Sequence, residues 1–239
     1  EVTDQAIERI IVSHYHADHI YGLQAFKEHA GAPPVWAQSL ALGYVGGTAA
    51  SQGEDAQRRL AQRREALFPW VDENTWIVTP DRTFEQGLSF TVGGIDFEVQ
   101  HLGPAHAPGD SIMLVKNYAV LFGGDVIYKG RVPFLDSPET DIDRWLAGLE
   151  TLSGLQPPQR VVIPGHGTAS DDVRLAVGAT RDYITYLRDA MRHAVADFVP
   201  FDQAYQATDW SVYESMPAFE ASNRGNAYRI YLEMEATSF

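Results

Sequence analysis

Three features of this 239-residue chain predict a mixed α/β fold: apolar strand-like runs that end at glycine or histidine, helix-period segments between them, and paired glycines where strands reverse. Ile7 to Val12 reads as the first strand. The spacing of apolar residues from Ile20 to Phe26 then predicts a helix ending near Gly31. Residues 51–67 predict a second helix. Strands are expected at 76–78 and across 84–100, the latter turning at Gly93-Gly94, because two glycines supply the positive φ of a tight hairpin. A strand pair is expected over 112–123 around Lys116-Asn117, followed by a helix over 141–152 and a buried strand from Val161 to Ile163.

The later helices are read from caps and stripes. Ser170 is expected to cap a helix with Asp171 and Asp172 in its first turn, and Val173, Val177, Thr180, Ile184, Leu187 and Met191 form one apolar stripe. That stripe is core. A last helix is expected after Ser222 or Asn223, with Ala227, Ile230, Tyr231 and Met234 on one face, so residues from about 197 to 239 form a helical C-terminal segment. No repeat or low-complexity linker breaks residues 1–239, and a single domain is the simplest organisation for this length.

Composition narrows the function. Eighteen basic and 32 acidic residues give a net charge of −14, which argues against a nucleic-acid groove and its basic footprint. The Arg58-Arg59 and Arg63-Arg64 pairs are interleaved with acids and read as a solvated helix face. No apolar run is long enough to span a membrane. With no cysteine and no G-x-S-x-G turn, neither a thiol nor a serine-elbow nucleophile is indicated, and a small-molecule substrate is the expected partner.

The chemistry concentrates in His14-Tyr15-His16-Ala17-Asp18-His19, three imidazoles and a carboxylate in six residues, expected on a strand-to-helix turn. Zinc favours imidazole nitrogen and carboxylate oxygen, and a catalytic zinc keeps one position open for water. Alternating side chains on such a turn can serve two metals, yet four ligands cannot complete two shells. Three downstream residues have the required type and setting: His106 in the loop Gly103 to Ser111, Asp125 closing the strand Val120 to Gly124, and His166 in the glycine-flanked loop after Ile163. His29, His101 and His193 lack such settings and read as structural.

This ordered set resembles the metallo-β-lactamase-fold hydrolase superfamily, whose H-x-H-x-D-H signature corresponds to His14 through His19. The resemblance implies a four-layer αββα sandwich. It further implies one metal held by His14, His16 and His106, a second held by Asp18, His19 and His166, and Asp125 bridging them. Two zinc ions in that arrangement would supply hydroxide at neutral pH, since zinc lowers the pKa of bound water to about 7. Asp18 would orient it and pass on a proton. The expected reaction is attack on an ester, thioester, lactone or amide carbonyl, β-lactams included. The same ligand types suit iron or manganese, so an iron-dependent oxidoreductase of this fold is the alternative, with a non-catalytic metal-binding accessory protein as a third reading.

Departures from the family pattern carry information. Asp125 stands where dizinc β-lactamases carry cysteine or serine, and Tyr128 stands where those with the cysteine place lysine; Asp125 together with His19 resembles the thioesterase, lactonase and general hydrolase branches, while residues 121–126 and 130–134 resemble β-lactamases. Segments 209–211, 217–219 and 223–233 are similar to zinc metallohydrolases encoded near quinoprotein and sulfur-oxidation systems, which implies a periplasmic or secreted protein. Relatives place several strands before the signature, so the chain is expected to lack the N-terminal strands of the fold. Pocket walls are expected from residues 44–54 and 128–136.

Overall fold

The computed structural model describes residues 4–45, 50–135 and 139–237. They form two compact units, one of residues 1–103 with 108–117 and the other of 104–107 with 118–239. Parts of both expected pocket walls, residues 46–49 and 136, lie outside the described residues.

In the first unit β1 (Ile10–Ile11), β2 (Val35–Gln38) and β3 (Arg82–Phe84) form a parallel sheet, with Ile10 opposite Val35 and Trp36 opposite Arg82. The first strand is shorter than Ile7 to Val12. Its partner is preceded by Pro33 and Pro34, which have no N–H for a ladder, so pairing begins only where Ile10 donates to the Pro34 carbonyl. Between β1 and β2 the single expected helix is two, α1 (Ala17–Ile20) and α2 (Leu23–His29), with Gly22 at the break and α2 followed by Gly31 at φ +75°. Helix α3 (Ala50–Ala66) falls where expected. No strand forms at 76–78. The first N–H of that segment, that of Trp76, is taken by the Gln24 side chain, and just ahead of it Arg64 takes the carbonyls of Asp72 and Thr75.

Strands β4 (Gly87–Val92), β5 (Ile95–His101) and β6 (Ser111–Val115) are antiparallel neighbours, β4 and β5 turning at Gly93 and Gly94 with φ of +57° and +79°. Val12, Ile20, Leu23, Val35, Ala37, Val99 and Ile112 are buried in this unit. The Ser111 N–H donates to the Ser13 carbonyl at 2.9 Å, tying β6 to the residue before the histidine cluster.

The second unit is built on a parallel pair, β7 (Val120–Lys129) and β8 (Val161–Gly167), with α4 (Ile142–Ser153), α5 (Val173–Ala196), α6 (Phe201–Ala207) and α7 (Phe219–Thr237). Contrary to expectation, β7 runs six residues beyond Gly123, and its pairing with β8 shifts register between Phe122 and Gly124 and again before Tyr128. Trp145 of α4 is fully buried and donates its indole N–H to the Val126 carbonyl at 2.9 Å, filling the space behind β7. Val177, Thr180, Ile184, Leu187 and Met191 of α5 are buried as one stripe. Its cap is Asp172, whose carboxylate accepts from Leu175 N–H, whereas Ser170 bonds to Asp172 itself. Helix α7 starts earlier than expected, so Ser222 and Asn223 are buried within it and do not cap it. Its last described residue is Thr237. Among the described residues no helix is long and apolar enough to cross a membrane.

Candidate metal centre

The H-x-H-x-D-H stretch is split by secondary structure. His14 and His16 lie in the loop after β1, while Asp18 and His19 stand in the first turn of α1, not on the turn before it. His16 is the residue entering that helix in extended conformation, its carbonyl accepting from His19 N–H at 3.0 Å. This bends the chain so that His14 and His19, five residues apart, have ring centroids 4.2 Å apart, and His14 and His16 are 4.7 Å apart edge to face. His14 is buried; Asp18 is more than half exposed, with Oδ2 3.4 Å from His19 Nε2. Ser13 Oγ lies 3.2 Å from His14 Nδ1 and 3.4 Å from His19 Nδ1. A hydroxyl has two acceptor lone pairs, so Ser13 can accept from Nδ1–H of both rings, an arrangement that leaves each Nε2 its lone pair.

Tyr15, between the first two histidines, is buried, with its ring edge to face against His16 at 4.7 Å. Its ring stacks on Tyr44 at 4.2 Å, and the Arg59 guanidinium from α3 lies 5.8 and 5.5 Å from the two ring centroids while donating to the Tyr44 carbonyl. The ligand-type loop is therefore anchored by the one aromatic inside its motif.

In the second unit, His106, Asp125 and His166 converge from three separated stretches. Asp125 Oδ2 lies 3.4 Å from His106 Nε2 and 3.3 Å from His166 Nε2, and accepts a hydrogen bond from the Tyr128 hydroxyl at 2.5 Å. The register shift in β7 and the positive φ of Gly124 aim this carboxylate. Gly165 makes room for it: a Cβ there would stand 2.0 Å from Asp125 Oδ1. His166 lies within β8, opposite Tyr128, and not in a loop as expected; the Tyr128 ring stacks on it at 5.3 Å. Arg131 Nη1 approaches His166 Nδ1 at 3.4 Å.

His106 sits in the loop expected for it and is fully buried. Its Nδ1 lies 3.0 Å from the Phe134 carbonyl oxygen. A carbonyl only accepts, so Nδ1 carries the hydrogen and Nε2 of the neutral ring presents its lone pair toward Asp125. Two lone-pair atoms facing each other inside a buried site call for a cation between them, a metal ion or an imidazolium proton. The donor set fits a divalent metal: neutral imidazole nitrogens oriented by backbone, beside carboxylate oxygen. Among the described residues all seven expected positions fall within groups of histidine and aspartate able to hold a metal ion.

His29 ends α2 with its side chain exposed, His101 ends β5 with Nδ1 against the Asp110 carbonyl, and His193 stands in the last turn of α5; none joins either cluster. The sequence placed Tyr128 in a pocket wall and at a position where some relatives carry lysine, not as the partner of Asp125. Its signal was spacing: in an extended strand with a bulge, a residue three beyond Asp125 can return to the same face.

An α/β scaffold that presents imidazoles and aspartates from two strands, a helix start and two loops defines a metal-binding protein. The chain belongs to the metallo-beta-lactamase superfamily, whose sequence profile matches residues 1–180. It is 26% identical over 219 residues to the linear primary-alkylsulfatase of a Pseudomonas species, covering 79% of this chain and 40% of that protein. It is 27% identical over 169 residues to hydroxyacylglutathione hydrolase GloC of Haemophilus influenzae, covering 70% and 72% respectively. The fold is that of solved family members: a metallo-beta-lactamase from Pontibacter korlensis superposes with a TM-score of 0.55 at 22% identity over 76% of this chain and 70% of that one. The sec-alkyl sulfatase PisA1 superposes with a TM-score of 0.65 at 18% identity, covering 96% of this chain and 41% of that chain. The chain thus spans less than half the length of the two alkylsulfatases it matches. These relatives are hydrolases, and membership together with the histidine and aspartate set implies a divalent metal.

Proposed function

We propose that the chain forms the metal-bearing catalytic part of a dinuclear zinc hydrolase. His14, His16 and His106 would hold one ion and Asp18, His19 and His166 the other, with Asp125, which lies beside both His106 and His166, shared between the two sets. The observation that carries this reading is the orientation of His106 by the Phe134 carbonyl, which commits Nε2 to a cation beside Asp125. When bound, the metals supply acidified water and polarise the group under attack.

The protein's own residues supply the rest. Tyr128 holds the bridging carboxylate in place through its hydroxyl. Asp18 is the most exposed of the seven, which suits a group that orients the attacking water and carries its proton away. Ser13 fixes the rings of His14 and His19. The substrate contains an ester, thioester, lactone or amide carbonyl, in keeping with the similarity to GloC and, at 26% identity over 166 residues, to acyl-coenzyme A thioesterase MBLAC2 of Gallus gallus.

A second reading, cleavage of an alkyl sulfate ester, is favoured by a specific observation: the sequence similarity to the linear primary-alkylsulfatase extends over 79% of this chain. Export to the periplasm belongs to the same proposal and rests on the C-terminal resemblance.

The test is metal content combined with a hydrolysis panel of esters, thioesters, lactones, β-lactams and alkyl sulfates. Zinc-dependent turnover of a carbonyl substrate is the expected result. Turnover of alkyl sulfates alone selects the second reading, and oxygen uptake by an iron-loaded protein with no hydrolysis by the zinc form refutes both. Asp18→Asn should lower kcat by about 100-fold or more while KM changes little, the signature of a group acting on the proton and not on the substrate's binding.

A further inference from the structure

Helix α7 lies beyond the residues matched by the family profile, yet one of its side chains reaches the strand-end loop of the candidate site. Asn226 is fully buried. Its Oδ1 accepts from Leu135 N–H at 2.8 Å, and its Nδ2 donates to the Pro133 carbonyl at 2.7 Å and to the Tyr183 hydroxyl of α5 at 2.9 Å. Only a carboxamide can do all of this at once: a carboxylate cannot donate to a carbonyl, and an apolar side chain would leave buried backbone groups unpaired. The two backbone partners flank Phe134. The carbonyl of Phe134 is the acceptor of the His106 Nδ1 hydrogen.

We propose that Asn226 is a positioning residue for the metal centre: by clamping both neighbours of Phe134 it fixes that carbonyl and so holds His106 in the tautomer whose Nε2 is a ligand. The inference rests on the reading of His106 as a ligand given above. A buried amide network backs the clamp from behind, with the Tyr183 hydroxyl donating to Asn223 Oδ1 at 2.8 Å and Asn223 Nδ2 donating to the Tyr205 hydroxyl at 3.1 Å. A second tie has the Val132 N–H donating to the Pro217 carbonyl at 3.0 Å, so the segment ahead of α7 holds the same loop. The loop has few alternatives: Val132 and Leu135 are buried, and displacing them would expose apolar surface. The helical C-terminal segment therefore acts on the chemistry through the backbone of one loop, without contributing a ligand.

Asn226→Asp keeps the acceptor for Leu135 and loses both donations. Asn223→Ala, one turn earlier on the same helix, removes part of the same network but touches neither Pro133 nor Leu135. Two readouts are taken on folded protein. Nitrogen NMR of the metal-free chain above neutral pH reports the His106 tautomer, and competition with a chromophoric chelator reports zinc affinity. Wild type and Asn223→Ala should both show His106 protonated on Nδ1 and equal zinc affinity. Asn226→Asp should show a mixed tautomer and zinc binding weakened by about 10- to 100-fold, the range for lost outer partners of ligating histidines.

An unchanged tautomer in folded Asn226→Asp, or an equal change in Asn223→Ala, overturns the inference. A changed tautomer with unchanged zinc affinity overturns instead the ligand reading of His106. Amide exchange in the wild-type protein tests the clamp without any variant: Leu135 N–H should exchange as slowly as the core amides of α7, and fast exchange at Leu135 overturns the inference as well.

Discussion

The four ligand-type residues of the first unit and the three of the second are assembled in opposite ways. In the first, six consecutive residues carry all four, and the geometry comes from one local event, the start of a helix at Ala17. In the second, His106, Asp125 and His166 are separated by 19 and 41 residues, and each is aimed by a different device: a backbone carbonyl, a strand register shift, and an aromatic ring. Local assembly needs little support, here one serine and one stacked tyrosine. Distributed assembly needs a scaffold, and the second unit supplies it with a buried tryptophan behind β7 and hydrogen bonds that reach from α5 and α7. Damage to the site should therefore be easier to inflict through supporting residues in the second unit than in the first.

The sharpest way to break this contrast is Gly165→Ala. Its Cβ would meet Asp125 Oδ1 at 2.0 Å and the Gly124 backbone at 2.6 Å, and neither the carboxylate nor the strand can yield without moving Asp125 away from His106 and His166. Zinc affinity should fall by more than about 100-fold, beyond the loss of a single outer partner, as read by chelator competition on a protein whose circular dichroism remains native. Tyr128→Phe comes next. It retains the ring stacked on His166 and removes only the hydroxyl donated to Asp125, so affinity should fall by about 10-fold with the fold intact.

The first unit should yield less. Arg59→Ala removes the guanidinium beside Tyr15 and Tyr44 together with its bond to the Tyr44 carbonyl, which should cost about 1 kcal/mol of stability in thermal unfolding and change zinc affinity by no more than about threefold. His29→Ala serves as its control, since that ring is exposed and joins neither cluster; a loss of zinc there equal to that of Tyr128→Phe would mean the ligands are misassigned. If Arg59→Ala proves as damaging as Tyr128→Phe, the contrast between local and distributed assembly fails.

The same contrast explains what could be read from the sequence. His14 to His19 was legible because its density of ligands has no structural rationale, and His106, Asp125 and His166 became legible only in its company. The hairpin at Gly93-Gly94 and the stripe of α5 were legible because period and turn chemistry are local. The strand length of β1 was not, since it is set by the prolines of its partner. Nor was the continuation of β7 past Asp125, because a glycine pair that looks like a strand end is here a bulge inside one, closed only by pairing with β8. Asn226 was hidden for the strongest reason: its partners are backbone groups of residues some 90 positions away, and backbone partners leave no trace in residue type.

The central claim is that these seven side chains hold two metal ions. Metal-to-protein stoichiometry after zinc loading and removal of excess tests it most directly, measured on the wild-type chain and on His166→Ala. About two equivalents falling to about one is the predicted result, since His166 is assigned to one of the two ions only. One equivalent or none in the wild-type protein, or two equivalents retained in His166→Ala, would contradict it.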